Sequence, residues 1–221
     1  FEYWMTNFEG EAKGNGGNEV KLNDDINVSD DDNIIKWNFS LPVVGGNILD
    51  ISYYSLSYSG EQILTKNLIF NDVLYSSGEK TTGKAEADVI DVRFKLFPVM
   101  SENVKLGLIA GLKWVEANAL ISSAAKGRQE ESIEVPLPEV GVSVSTQIQN
   151  VMIFSEISGF ALSLGDTSGS MFELDIRGEY DVIENAGIIG GYRYSRFDLE
   201  QDDDSADFTI KGFYLGGIVR F

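Results

Sequence analysis

Between Met171 and Tyr180 the chain reads MFELDIRGEY. Phe172, Leu174, Ile176, Gly178 and Tyr180 alternate there with Met171, Glu173, Asp175, Arg177 and Glu179. A period of two marks a strand whose successive side chains point to opposite faces. One face is apolar and the other is charged at all but Met171. Such a strand has two stable homes. In a soluble sheet the apolar face packs into a core and the charged face meets water. In a membrane barrel the apolar face meets lipid and the charged face turns towards a lumen.

The same alternation recurs along the chain. Ten segments carry it, at roughly 1–10, 33–43, 47–59, 84–97, 103–117, 133–148, 151–164, 170–183, 187–200 and 206–221. Their connections are of two kinds. VVGGN (43–47), PVMSEN (98–103), QIQN (147–150) and IENA (183–186) are short, whereas 11–32, 60–83, 118–132 and 199–206 are longer and polar. Only 165–169 breaks the rule. Short turns at one end and long loops at the other are the pattern of an up-and-down transmembrane barrel with short periplasmic turns and longer extracellular loops. The expected fold is a single all-β domain over 1–221, an antiparallel barrel of about ten strands, with eight as the alternative count. Pro136 and Pro138 fall in the sixth segment and are expected above the membrane, where water replaces a lost ladder bond.

The apolar rows are long: Ile35, Trp37, Phe39 and Leu41; Ile90, Val92, Phe94 and Leu96; Val104, Leu106, Leu108, Ala110, Leu112 and Trp114. Trp114, Phe172, Tyr192, Tyr194 and Phe213 fall towards the long-loop end, and Tyr180 and Phe221 towards the short-turn end, as two aromatic girdles would. The opposite face carries eight acids, Glu2, Asp50, Asp91, Glu139, Glu156, Glu173, Asp175 and Glu179. It also carries eight bases, Lys36, Arg93, Lys95, Lys105, Lys113, Arg177, Arg193 and Arg220. This face therefore sums to zero, and the formal charge of −18 lies wholly in the remaining 27 acids and nine bases. A soluble core would bury sixteen charges at several kcal/mol each unless paired. A lumen lets them pair across it or meet water.

Composition narrows the chemistry. The chain has no cysteine and no histidine, which removes disulfides, thiol catalysis, Ser-His-Asp triads and histidine-ligated metals. Its negative charge argues against nucleic acid. Apolar residues at Phe213, Leu215, Val219 and Phe221 resemble the terminal sorting signal read by the barrel assembly machinery of Gram-negative bacteria; Gly217 departs from it. The whole chain is also similar to an uncharacterised family of Gram-negative outer-membrane β-barrel proteins. That likeness runs through NFEG, DDINVSDDDN, FNDVLYSSGEKTTGKAEADVIDVRFKL, GYRY and GGIVRF. It implies a barrel in the bacterial outer membrane and brings no activity or catalytic residues.

Three function classes follow. An enzyme would have to rely on a carboxylate pair such as Glu173 and Asp175, and the expectation is that the chain is not an enzyme. A pore is open to a ten-stranded barrel about 20 Å across, narrowed by its own side chains. The bases on segments four and five and the acids on segments six to eight suit either a transverse field or a cross-lumen plug. The plug, in a structural or surface protein, is the preferred reading. Arg177 is expected to sit between Asp175 and Glu179, with Glu173 and Glu156 nearby. Loop 60–83, with ILTKNLIFNDVLY, is expected to extend strands or cover the mouth. No resident cofactor is expected, save calcium or magnesium between two acidic loops brought together by closure, at Asp30, Asp31, Asp32, Asp202, Asp203 and Asp204. Expected partners are outer-membrane lipid, lipopolysaccharide and the assembly machinery, for a chain that is a monomer.

Overall fold

The computed structural model describes every residue except Gly14, Asn15, Gly16, Asp30, Glu102, Asp166 and Phe221, together with all side chains of its strands but that of Leu164. Ten long strands form the wall: β1 (Glu2–Lys13), β3 (Asp31–Val43), β4 (Asn47–Ile63), β7 (Lys80–Met100), β8 (Val104–Ser123), β9 (Gly127–Ile148), β10 (Val151–Leu164), β11 (Thr167–Ile183), β12 (Ala186–Gln201) and β13 (Asp204–Val219). Each pairs antiparallel with the next, and β13 returns to β1 through Glu2↔Gly216 up to Lys13↔Ser205. The ring is closed. At this seam the backbones come so close that a Cβ on Gly212 would lie 1.8 Å from the Met5 carbonyl oxygen, so only glycine fits.

The four short turns fall where the alternation breaks. At the other end the strands run further than their apolar faces suggested. The stretch 118–132, expected as a loop, is mostly the top of a β8–β9 hairpin paired from Ser123↔Gly127 downwards. Its outward face is polar but for Leu120, and its inward face holds Ala119 and Ile121, with Ile133 just below, so alternation persists with the polarity exchanged.

That exchange organises the molecule. On β7 the inward residues Asp91, Arg93 and Lys95 are buried, while Ile90, Val92, Phe94 and Leu96 lie exposed on the outside. Two residues higher the phase is unchanged, yet Ala85, Ala87 and Val89 are buried inside and Asp88 is exposed outside. On β8 the switch falls between Lys113 and Val115, and on β9 between Glu139 and Leu137. The apolar outer belt on β8 runs from Val104 to Trp114. At about 3.3 Å per residue and a tilt of about 40°, such a row spans about 28 Å, the height of a hydrocarbon layer. The barrel is thus a transmembrane one, and it continues well beyond the belt as a β-extended head with an ordinary apolar core.

An aromatic row marks the level of the switch. The register joins Trp37 to Tyr53, Tyr53 to Ile90 and Ile90 to Trp114, while Phe172–Tyr194 and Tyr192–Phe213 stack edge to face on the far side. Pro136 lies opposite Trp114 and Pro138 opposite Leu112, so they sit at the upper edge of the belt and not clear above it. The β9–β10 ladder ends at Val140↔Gly159, just below both prolines, and the missing N–H groups interrupt no pairing on that side.

The head is roofed by chain inserted from two loops. Helix α1 (Leu22–Ile26) follows the two-residue strand β2 (Val20–Lys21), and its Leu22 and Ile26 are buried in the mouth. Asn23 pins it there, accepting from Gly10 N–H and donating to the Phe8 and Val28 carbonyls at 3.0–3.2 Å. Loop 60–83 forms the hairpin β5 (Leu68–Phe70) and β6 (Val73–Tyr75), with Leu64, Leu68, Phe70 and Tyr75 buried. It covers the mouth, and the Tyr75 hydroxyl donates to the Ile121 carbonyl at 3.2 Å.

The position of the switch is testable. Leu108→Arg, at mid-belt, is expected to cost about 2–4 kcal/mol, whereas Glu116→Arg, one step above Trp114, is expected to cost almost nothing. Unfolding from phospholipid vesicles in urea measures both.

Candidate functional site

Below the switch the lumen is filled with charge. Arg93 sits at its centre, with Nε 3.2 Å from Asp91, and Nη1 3.3 Å from Glu156, 3.7 Å from Glu173 and 3.9 Å from Glu139. Lys113 donates to Glu173 at 2.8 Å and lies 3.7 Å from Asp91. Lys95 bridges Asp50, at 2.8 Å, and Glu156. Arg193 holds Glu2 at 2.8 Å and Asp175 through Nε at 2.7 Å. The Tyr214 hydroxyl gives Asp175 a further bond at 2.8 Å, and Ser195 gives Glu173 one at 3.1 Å. At the short-turn mouth Arg177 pairs with Glu179 at 3.1 Å, and Arg220 pairs with Glu179 at 3.0 Å and with Asp181.

Arg193–Asp175 and Lys113–Asp91 are rungs between paired strands, whereas the central contacts are chords. Around the ring, Arg93 and Lys113 stand on the fourth and fifth wall strands, and their partners Glu156 and Glu173 on the seventh and eighth. The sorting of bases and acids therefore resolves as ion pairs that span the lumen. Aromatic rings complete the packing: the Arg193 guanidinium lies 5.2 Å from the Trp4 ring and 4.8 Å from that of Tyr214, and the Lys36 ammonium 5.3 Å from that of Tyr54.

The sequence reading of individual roles needs correction. Arg177 pairs with Glu179 on its own strand, as expected, and stacks 4.5 Å from the Phe154 ring, but the ion pairs of Asp175, Glu156 and Glu173 go to other cations: Arg193 takes Asp175, and Arg93 takes Glu156 and Glu173. Lys105 shares the inward phase but is exposed at the short-turn end, with no ion pair among the described residues. Lys36 is buried yet has no carboxylate within 4.0 Å among the described residues; the Tyr54 ring is its neighbour. Trp4, Tyr54, Ser195 and Tyr214 were missed as members of the site. Their signal was parity: Trp4, Tyr54 and Ser195 each lie an even number of positions from a charged lumen residue on the same strand, and Tyr214 lies six before Arg220, just past the end of β13.

The acidic loops do not converge. Asp31 and Asp32 pair with Asn7 and Thr6, whereas Asp202, Asp203 and Asp204 stand at or beyond the level of Lys13. About six residues of β1 separate the two groups, some 20 Å at strand rise. Asp30 and Phe221 lie outside the described residues. Phe213, Leu215 and Val219 project from the belt into the surroundings. Among the described residues, the carboxylates close enough to share a metal are Asp91, Glu139 and Glu173, and there Arg93 and Lys113 already supply positive charge.

No protein-family model and no curated protein matches the chain. Solved structures resemble it in fold. The transport unit of the autotransporter AIDA-I from Escherichia coli aligns with 100% of this chain and 90% of its own, at 9% identity and a TM-score of 0.50. The outer membrane protease OmpT from Escherichia coli aligns with 100% of this chain and 96% of its own, at 11% identity and a TM-score of 0.49. A porin aligns over 96% and 100% respectively, at 10% identity and a TM-score of 0.22. At such identities the likeness is one of architecture, the outer-membrane type of β-barrel.

Replacing Arg93 with Ala takes a cation from four carboxylates and leaves Glu139 without an ion pair among the described residues, which is expected to cost about 3–5 kcal/mol. Arg177→Ala, at the partly wet mouth, is expected to cost far less, and the temperature at which the barrel opens on a denaturing gel ranks the two. In the head, burial first and the neighbouring Asp204 second raise the pKa of Glu131. A carboxyl raised on folding contributes stability at low pH that is lost as pH rises through its folded value. Glu131→Gln is therefore expected to raise the opening temperature at pH 7, with the gain vanishing below about pH 3, where the parent carboxyl is protonated in both states.

Proposed function

We propose that this chain is an integral protein of the bacterial outer membrane that acts as a non-enzymatic anchor, with its short turns in the periplasm and its β-extended head outside. The observation that carries this reading is the set of ion pairs crossing the lumen at belt level, Arg93–Glu156, Arg93–Glu173 and Lys113–Glu173. A water path needs an unobstructed axis, and here the axis is occupied by buried, paired side chains. The carboxylates nearest to an acid–base pair, Glu173 and Asp175, are each held by a cation and a hydroxyl, an arrangement that favours a structural role over proton transfer.

The wall then carries the working part, which is the head. Its strands are continuous with the membrane span, so it stands rigidly off the surface. Its acids suit surroundings in which lipopolysaccharide and its bound cations are the neighbours. The belt is apolar all round and offers no polar seam for a second subunit, which favours a monomer. The alternate apolar positions Phe213, Leu215 and Val219 suit recognition of β13 by the barrel assembly machinery.

Single-channel recording in planar bilayers tests the proposal. The parent protein is expected to show no steady current, and Arg93→Ala combined with Lys113→Ala is expected to produce one. A stable ohmic conductance in the parent would replace the anchor with a narrow pore.

A further inference from the structure

On the outside of the barrel, at the upper edge of the belt, the seam carries an open cleft of about 480 Å³. Two local features make it. The Trp4 indole N–H donates to the Gly212 carbonyl at 3.2 Å, and the β1–β13 ladder passes over Met5 and Thr6 at that point. On the other flank β3 begins only at Asp31, opposite Asn7, because the chain before it runs to β4, where Val28 pairs with Gly60. On that side β1 has no ladder partner again until Glu11 meets Lys21.

The walls change chemistry within two steps of each strand. Tyr3, Met5 and Asn7 follow one another up the outer face of β1, and Ile35, Asn33 and Asp31 lie opposite them on β3. The Tyr192 and Phe213 rings, edge to face at 5.1 Å, line the apolar half from the β13 side. Met5 and Phe213 are exposed there. The lower half of the cleft is thus continuous with the lipid-facing belt and the upper half is polar, which is the profile of a membrane interface.

The polar half is uncommitted. Among the described residues the side chains of Asn7, Asp31 and Asn33 make no hydrogen bond or ion pair. Asn7 and Asp31 are directly paired, so an amide and a carboxylate stand about 5 Å apart at their Cβ atoms. With the second amide they offer acceptors to several hydroxyl groups and donors besides. Lys211 is held by Glu9 at 2.8 Å, so the charge left over in the lining, from Asp31 and Asp32, is negative. Such a set suits neighbouring hydroxyls and repels a bare phosphate.

We propose that the seam cleft binds the sugar head group of an outer-leaflet glycolipid, with its hydroxyls on Asn7, Asp31 and Asn33 and an acyl chain running down over Met5 and Phe213. Lipid covers the belt in any case, and the cleft adds a choice of head group. Which leaflet supplies the lipid rests on the outward placement of the head proposed above.

The test uses the full chain, labelled with carbon-13 at its methionine methyls, in phosphatidylcholine nanodiscs. Met5 reports on the cleft, and Met100, exposed at the end of β7 beside a short turn, reports on bulk lipid. Monoglucosyl diacylglycerol, phosphatidic acid and diacylglycerol with the same acyl chains are titrated in turn. The glucosyl lipid alone is expected to shift Met5 saturably, while Met100 drifts in proportion to lipid content. Asp31→Ala combined with Asn33→Ala is expected to weaken that binding about tenfold, the worth of one hydrogen bond to a charged group. Asn7→Ala is expected to weaken it separately, and the heat-shifted gel band shows that each variant has folded. Nanodiscs offer the lipid on both faces, so a head turned to the periplasm or a conducting lumen would remove the anchor reading and leave this titration unchanged. Three results would overturn the proposal: a Met5 shift that stays proportional to glucosyl lipid content, phosphatidic acid bound as tightly as the glucosyl lipid, or either folded variant binding as the parent does.

Discussion

A strand cannot change the phase of its side chains without a bulge, whereas the medium outside this barrel changes from hydrocarbon to water halfway up. Every long strand must therefore exchange its inner and outer polarity at one level. On β7 that level falls between Val89 and Asp91, on β8 between Lys113 and Val115, and on β9 between Leu137 and Glu139. The register sets these switches side by side, since Val89 pairs with Val115 and Val115 with Val135. Everything else in the molecule follows from that plane. The aromatic row outside marks it, the ion pairs lie below it and the apolar core lies above it.

The ring was legible because the belt half of each strand advertises two unlike faces, as in Phe172 to Tyr180. The head half was not, because its outward residues are polar and its inward ones are often as small as Ala117 and Ala119. Contrast between faces falls there, and a window across 118–132 reads as loop. The identity of the lumen residues needed only parity. Their partners needed distances across a cylinder, which parity does not contain. Arg177 has acids two places away on its own strand, so it drew attention; Arg93, with a single acid beside it in sequence, meets three more from strands two, three and four places round the ring. The two acidic loops misled for a related reason. Closure makes β1 and β13 neighbours, but β3 starts only at the level of Asn7, so adjacency in the ring did not mean equal height.

Buried ion pairs contribute little net stability, because desolvation cancels most of their attraction. Their value here lies in what they forbid. A slip of one residue in any strand would send a charge into lipid and an apolar side chain into the lumen. The Arg193 chord adds a constraint where the barrel most needs it. It joins β12 to Glu2 of β1 over the top of β13, and so ties the last hairpin to the first strand across the seam.

The plug and the apolar head are then complementary uses of one wall. Cross-lumen pairs make the belt section stiff and fill it with paired charge. Above that layer the same strands turn Ala85, Ala87 and Val89 inwards, and Phe8, Tyr58 and Phe208 pack there with Leu22 and Phe70 in one core. A water-filled lumen beneath would have set that core against solvent on its lower side. The apolar head thus depends on the charged layer under it, and that layer is tolerable because the same strands face lipid on their other side.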